Sequence, residues 1–146
     1  MSADAMWTQQ TLAALRESGG RNGSAQRAVV ELLGAQDCCL TAQEVFDRLR
    51  ASGRKIGIAS VYRVLDLLGE RGLVQRIDVG AGVTRFEPAY PDGDHHHHLV
   101  CSDCGKVEAF SDDDLERALR QVERRLGYAV AHEVVLHGAC DDCRAA

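Results

Sequence analysis

Ser60-Val61-Tyr62-Arg63-Val64-Leu65-Asp66-Leu67-Leu68 decides the fold of the first half of this chain. Val61, Val64, Leu65 and Leu68 recur at helical spacing and make one apolar side, while Tyr62, Arg63 and Asp66 face elsewhere. The expected helix, 60–71, thus buries one face and offers the other to a partner, with Gly72 beyond its end. Upstream, Thr41-Ala42-Gln43-Glu44 is a capping box: hydroxyl and carboxylate satisfy the free N–H groups of a helix's first turn. Val45, Phe46 and Leu49 give that helix its apolar face, and Gly53 suits its C′ position. Earlier still, Ser24 can cap a helix running to about Leu33 and stopped by Gly34, and a helix from Thr8 to Ser18 ends at Gly19-Gly20. Two short helices followed by a third carrying exposed Tyr and Arg is the layout of a helix-turn-helix. Leu73–Val79, the turn Gly80-Ala81-Gly82 and Val83–Glu87 then predict a hairpin, read as a wing.

Residues 88–94 contain both prolines of the chain, which resist regular structure, so the domain boundary is placed there. Beyond it the pattern predicts a strand from His95 to Cys101, a turn at 103–105, a strand from Lys106 to Phe110, a helix from Asp112 to Leu126 and a strand from Tyr128 to Leu136. Leu115, Ala118, Leu119, Val122 and Leu126 form one stripe of that helix. A unit of this size needs a staple beyond its core.

The 146 residues suffice for one large domain or two small ones and exclude a large enzyme barrel. No apolar run approaches the roughly 18 residues of a membrane span, and the start lacks the segments of an export signal. A cytoplasmic protein with reduced thiols and no membrane partner is therefore expected. The formal charge of −5 conceals an asymmetry: residues 1–86 hold 11 basic against 9 acidic side chains, and 87–146 hold 6 against 13. Arg48, Arg50, Arg54, Lys55 and Arg63 lie in a stretch from 48 to 65 without an acidic residue, a candidate phosphate-facing patch.

Cys101-Ser102-Asp103-Cys104 and Cys140-Asp141-Asp142-Cys143 are two C-x2-C pairs. In reducing surroundings such pairs favour zinc over disulfides, and four thiolates make a closed, structural site. His95-His96-His97-His98, if extended, sends His95 and His97 one way and His96 and His98 the other, so one segment can serve two metal sites. Cys39 and Glu87 are candidates to join His96 and His98; Glu116 and His132 are candidates to join His95 and His97. Imidazole alone does not name the metal. Catalytic motifs are absent. A metal-dependent hydrolase using three histidines with Glu133 is the alternative of another class, and no enzyme is expected.

Taken together, the basic helix-turn-helix with Val61-Tyr62-Arg63-Val64-Leu65, the hairpin, the run from His95 through Cys101-Ser102-Asp103-Cys104-Gly105-Lys106, and Cys140-Asp141-Asp142-Cys143 closely resemble the ferric uptake regulator family. The resemblance covers roughly Ser24 to Cys143. It implies an α+β protein: an N-terminal winged helix-turn-helix DNA-binding domain (1–87), a hinge (88–94) and a C-terminal α/β dimerisation domain (95–146) stapled by a four-cysteine zinc site. It implies a homodimeric, metal-responsive repressor binding double-stranded promoter DNA at a palindromic operator.

By position, the resemblance assigns Cys101, Cys104, Cys140 and Cys143 to structural zinc, Cys39, Glu87, His96 and His98 to the hinge sensing site, and His95, His97, Glu116 and His132 to an additional site. His132 aligns only with a one-residue gap. Iron sensors commonly carry histidine where this chain has Cys39, and Cys38 takes its place if the loop register slips by one. Actinobacterial-type zinc sensors use an aspartate near Gln75 and a cysteine near Ala89, which this chain lacks. A thiolate with two imidazoles favours zinc over iron, manganese or nickel, which points to the zinc uptake regulator branch and control of metal-uptake genes. Iron-responsive, manganese-responsive or peroxide-sensing regulators of the same family are the alternatives. For DNA, Tyr62 and Arg63 are expected near base edges, with Ser60, Arg27, Arg21 and Lys55 on phosphates.

Overall fold

A computed structural model describes residues 2–18, 23–90, 96–129 and 132–145. The chain divides into two units, Met1–Asp92 and Gly93–Ala146, each taken by itself below. Arg21, His95 and residues 91–94 of the expected hinge lie outside the described residues.

The first unit contains α1 (Ala3–Glu17), α2 (Ser24–Gly34), β1 (Leu40–Thr41), α3 (Ala42–Ala51), α4 (Ile58–Glu70), β2 (Val74–Asp78) and β3 (Thr84–Pro88). α1 starts earlier than its apolar spacing suggested, because Ser2 caps it by accepting from the Ala5 amide. Ser24 is not a cap: Gly23 occupies that position with no side-chain bond, and Ser24 is the first helical residue. α4 likewise begins at Ile58 behind Gly57 rather than at Ser60. A Cβ on Gly34 would collide with Thr8 Oγ1, so glycine permits α1 to lie against α2.

The core of this unit follows the helical periodicities. Val61, Val64, Leu65 and Leu68 are buried on α4 and meet Val45 and Leu49 of α3 and Val29, Val30 and Leu33 of α2 in one cluster. Each fully buried aliphatic side chain contributes about 1.5–3 kcal/mol before entropy is counted. Tyr62 stays 51% exposed on the opposite side of α4. The sheet has the order β1-β3-β2, antiparallel throughout. The short β1 escaped the sequence reading; two residues leading into a capping box carry too little pattern to register as a strand. The β2–β3 turn passes through Gly80, Ala81 and Gly82, all at positive φ, with Ala81 at 55°.

The capping box forms as expected. Thr41 Oγ1 accepts from the Glu44 amide at 3.1 Å, and Glu44 Oε2 accepts from the Thr41 amide at 3.0 Å. The Glu44 carboxylate also receives Arg85 from β3 at 3.1 and 3.3 Å, tying the helix start to the sheet. Thr41→Ala should cost about 1 kcal/mol, lowering the melting temperature of this unit by about 4–8 °C. Thr41→Ser should recover most of it; calorimetry of the two variants checks this, and equal losses in both would assign the effect to the lost methyl group instead.

The second unit holds β4 (His97–Cys101), β5 (Val107–Phe110), α5 (Asp113–Leu126), β6 (Val135–Gly138) and α6 (Asp141–Arg144). Strand order is β5-β4-β6, with β4–β5 antiparallel and β4–β6 parallel. Asp112 Oδ1 caps α5 by accepting from the Leu115 amide at 2.8 Å, and Gly127 ends it in the left-handed region. The expected strand from Tyr128 to Leu136 is corrected to Val135–Gly138. Tyr128 is 70% exposed, and residues 132–134 are held instead by side-chain bonds to the histidine cluster described below. No described residue of α5 is buried, and Leu99 and Leu136, paired across β4 and β6, are 41% and 47% exposed.

Candidate metal centres

Two turns deliver the four thiols. Cys101 closes β4, and the chain reverses through Gly105 at φ 78°, with the Gly105 amide donating to Cys101 O at 2.9 Å. Cys140 stands at the N-cap of α6 and Cys143 lies within that helix, while the Ser102 amide donates to Gly138 O and draws the two segments together. The four sulfurs lie within 4.8 Å of one another. Cys104 and Cys140 sulfurs are 3.8 Å apart; a tetrahedron with Zn–S of about 2.3 Å has an edge of about 3.8 Å. The donor set fits zinc in a closed site, which would contribute to folding and carry no open position for chemistry.

Protonation sets the terms of metal loading. The Cys140 amide, donating at 3.3 Å, and then the Cys104 amide hold the Cys101 thiol down to about 6. Cys143 is pushed up to about 12, first by its hydrogen bond with Cys140 and then by the other thiols. Cys104 is raised as well. An ion therefore enters beside one ready thiolate and must expel the protons of Cys104 and Cys143. The sign follows: protons compete with metal at the raised groups, so acid weakens binding. With at least these two protons competing, apparent zinc affinity should fall by about 100-fold or more between pH 8 and pH 7. Chelator competition across that range measures it, and a flat profile would contradict the assignment.

His97, Glu116 and His132 form a second cluster, their ligand atoms within 4.8 Å. His97 Nε2 meets Glu116 Oε1 at 2.5 Å, and His132 Nε2 meets Glu116 Oε2 at 2.9 Å. His132 Nδ1 meets Glu123 Oε1 at 2.8 Å. Glu116 and then Glu123 raise the pKa of His132. The Val134 amide donates to His97 Nδ1 at 3.1 Å, which leaves Nε2 as the protonated nitrogen of the neutral ring. An ion here would compete with the proton that Glu116 and Glu123 favour on His132, and His97, Glu116 and His132 together offer the ligand atoms. Glu123 went unremarked in the sequence, although it stands seven positions after Glu116, hence on the same face of α5.

In the first unit, Cys38 and Cys39 sit at the end of the α2–β1 loop with sulfurs 3.5 Å apart. Cys39 and Glu87 are buried and Cys38 is half-buried. The Cys39 thiol is pushed far above its ordinary range, first by the hydrogen bond with Cys38, then by burial and by the charges of Cys38 and Glu87. In the second unit, His98 is fully buried, its ring centroid 4.9 Å from that of half-buried His96, and its Nδ1 lies 3.5 Å from Glu133 Oε1.

The basic face is on α4 and its approach. Tyr62 and Arg63 are exposed, and Arg63 Nη2 donates to Ser60 Oγ at 3.0 Å. Lys55 is exposed in the preceding loop. Arg27 and Arg54 each pair with Glu31, at 3.5 and 3.6 Å. Such exposed pairs are worth about 0–1 kcal/mol, little hindrance to a phosphate.

The sequence profile described as "Ferric uptake regulator family" matches residues 17–137. The chain belongs to that family. Ferric uptake regulator family proteins are metal-responsive, DNA-binding transcription regulators that dimerise. The ferric uptake regulation protein of Klebsiella pneumoniae is 36% identical to this chain over 135 residues, 90% of this chain and 86% of that protein. The crystal structure of the Vibrio cholerae ferric uptake regulator superposes with a TM-score of 0.79 at 32% identity, covering 89% of this chain and 99% of that one. The ferric uptake regulator of Francisella tularensis, described with iron, gives 0.75 at 26% identity and covers 86% and 96%. Among the described residues no helix of this family member is long and apolar enough to cross a membrane.

Proposed function

We propose that this ferric uptake regulator family member is a homodimeric repressor that grips a palindromic promoter site when zinc occupies its sensing position. The observation that carries the choice of metal is the Cys38–Cys39 thiol pair at the end of the α2–β1 loop. Thiolate and imidazole together suit zinc better than iron or manganese. A thiol of this pair, Cys39 in the first instance, joins Glu87, His96 and His98 as the regulatory ligands. Cys101, Cys104, Cys140 and Cys143 hold structural zinc, and His95, His97, Glu116 and His132 hold an additional ion.

The regulatory ion draws ligands from both sides of the 88–94 segment, so its binding energy selects one hinge angle. In a symmetric dimer that angle sets the spacing of two recognition helices to major-groove segments roughly 34–36 Å apart or a multiple of it. Tyr62 and Arg63 then reach base edges, while Ser60, Arg27, Arg21 and Lys55 meet phosphates. The dimer is supported by the unpartnered stripe of α5, where Val122 and Leu126 are 40% and 59% exposed.

A second reading, iron as the regulatory ion, is favoured by the names of the relatives. Titrating operator binding of the zinc-stapled protein against buffered free zinc, Fe(II) and Mn(II), at fixed salt, separates the two. Zinc should tighten binding by about 10–100-fold at a lower free concentration than the others. Iron acting first would establish the second reading, and full affinity with only the four-cysteine zinc present would overturn both.

A further inference from the structure

Consecutive residues of an extended chain point to opposite faces, yet the sulfurs of Cys38 and Cys39 lie 3.5 Å apart on one side of the loop. A bend at residues 37–38 brings them there, and the loop is fixed at both ends. The Ala35 and Gln36 amides donate to Leu32 O and Leu33 O, Arg48 holds the Gln36 side chain, and Arg85 Nη1 donates to Cys39 O at 3.2 Å. Arg85 is itself anchored by Glu44 of the capping box. The spacing is far longer than the ~2.05 Å of a disulfide. It is close to the edge spanned by two sulfurs that share one ion at ~2.3 Å. Here two thiols are arranged in advance as a chelate, and Cys38 is open enough to admit a reagent.

We propose that Cys38 and Cys39 together form a binding site for trivalent arsenic, a thiophilic metalloid that takes paired sulfurs. The condensation needs no oxidant. Arsenous acid, As(OH)3, with two thiols gives (RS)2AsOH and two waters; each S–H proton leaves on a departing hydroxyl, each As–O bond lost is replaced by As–S, and arsenic stays trivalent. Loading would withdraw from the regulatory ion the one thiol of the pair that serves it. That consequence rests on the metal-dependent reading above, whereas the binding does not, so the site is tested in the absence of DNA.

The probe is phenylarsine oxide, which closes on two thiols with loss of one water, added to the full chain loaded with zinc at its four cysteines. Native mass spectrometry should show one phenylarsenic group per chain with zinc retained. Alkylation after unfolding should find Cys38 and Cys39 protected and, once the adduct is removed with a small dithiol, modified. Cys38→Ser and Cys39→Ser should each weaken the adduct by about 100-fold, the effective-concentration advantage of the second bond. Protection mapping on the unaltered chain keeps the test valid if the buried Cys39→Ser variant folds poorly. No adduct, an adduct of undiminished affinity in Cys38→Ser, or arsenic recovered on the Cys101–Cys143 thiols with zinc released would each overturn the proposal.

Discussion

Replacing His96 and His98 together with alanine is expected to abolish the metal response of operator binding while leaving the four-cysteine zinc in place. A metal can shift a conformational equilibrium only by its differential affinity for the two states. In the proposed mechanism that difference comes from ligands drawn from both sides of the 88–94 segment, and removing both imidazoles leaves the ion held on one side only. Affinity should then sit at the metal-free level, about 10–100-fold below the loaded protein, and should not rise with added zinc. His98 is fully buried, so the variant also loses packing in β4. A His96→Ala variant, altered at a half-buried position before the strand, separates that loss from the loss of a ligand. Fluorescence anisotropy at one salt concentration reads the result, because phosphate contacts make affinity salt-dependent. A double variant that still tightens on DNA with zinc would remove the clasp from the mechanism.

Fold elements were legible where several local signals agreed. Thr41 with Glu44 ahead of Val45 and Leu49, the apolar spacing from Val61 to Leu68 with Gly72 beyond it, and the 115–126 stripe of the helix expected from Asp112 each combine a terminus signal with a period, and each helix formed. Errors fell where one signal stood alone. Ser24 has good cap chemistry, but Gly23 takes the cap and Ser24 the first turn. The apolar alternation after Tyr128 suggested a long strand, whereas β6 is only four residues because side-chain bonds from His97 and His132 hold the chain before it. The four cysteines were legible because C-x2-C spacing is itself a geometric statement about a tight turn. Glu123 was not: an acidic residue on a solvated helix has no signature until the segment carrying His132 is folded against it. The nearness of the Cys38 and Cys39 sulfurs was also illegible, since adjacency in sequence ordinarily separates side chains.

Loss of the four-cysteine site should be the most damaging single change to the second unit. Among its described residues only Val100, Cys101, His97 and His98 are buried, while the first unit has a continuous apolar cluster from Trp7 to Phe86. α5 contributes no buried side chain, and its 14 residues are near the length at which an isolated helix is marginal in water. Structural zinc in comparable small domains carries about 10–16 kcal/mol of apparent binding energy, as much as the whole stability of a typical domain at about 5–15 kcal/mol. Cys140→Ser removes one of the four sulfurs but leaves at the N-cap of α6 a residue suited to that position, so what is lost is the ligand. The expected result is a chain without bound zinc whose second unit has lost its calorimetric transition, whose dimer has dissociated, and whose first unit still melts on its own. Calorimetry with light scattering distinguishes the outcomes, and strong chelator on the unaltered chain should reproduce them. A Cys140→Ser chain that remains dimeric with both transitions intact would mean that the apolar stripe of α5, buried against a second copy, suffices without metal; a further Leu119→Glu substitution on that stripe should then dissociate it.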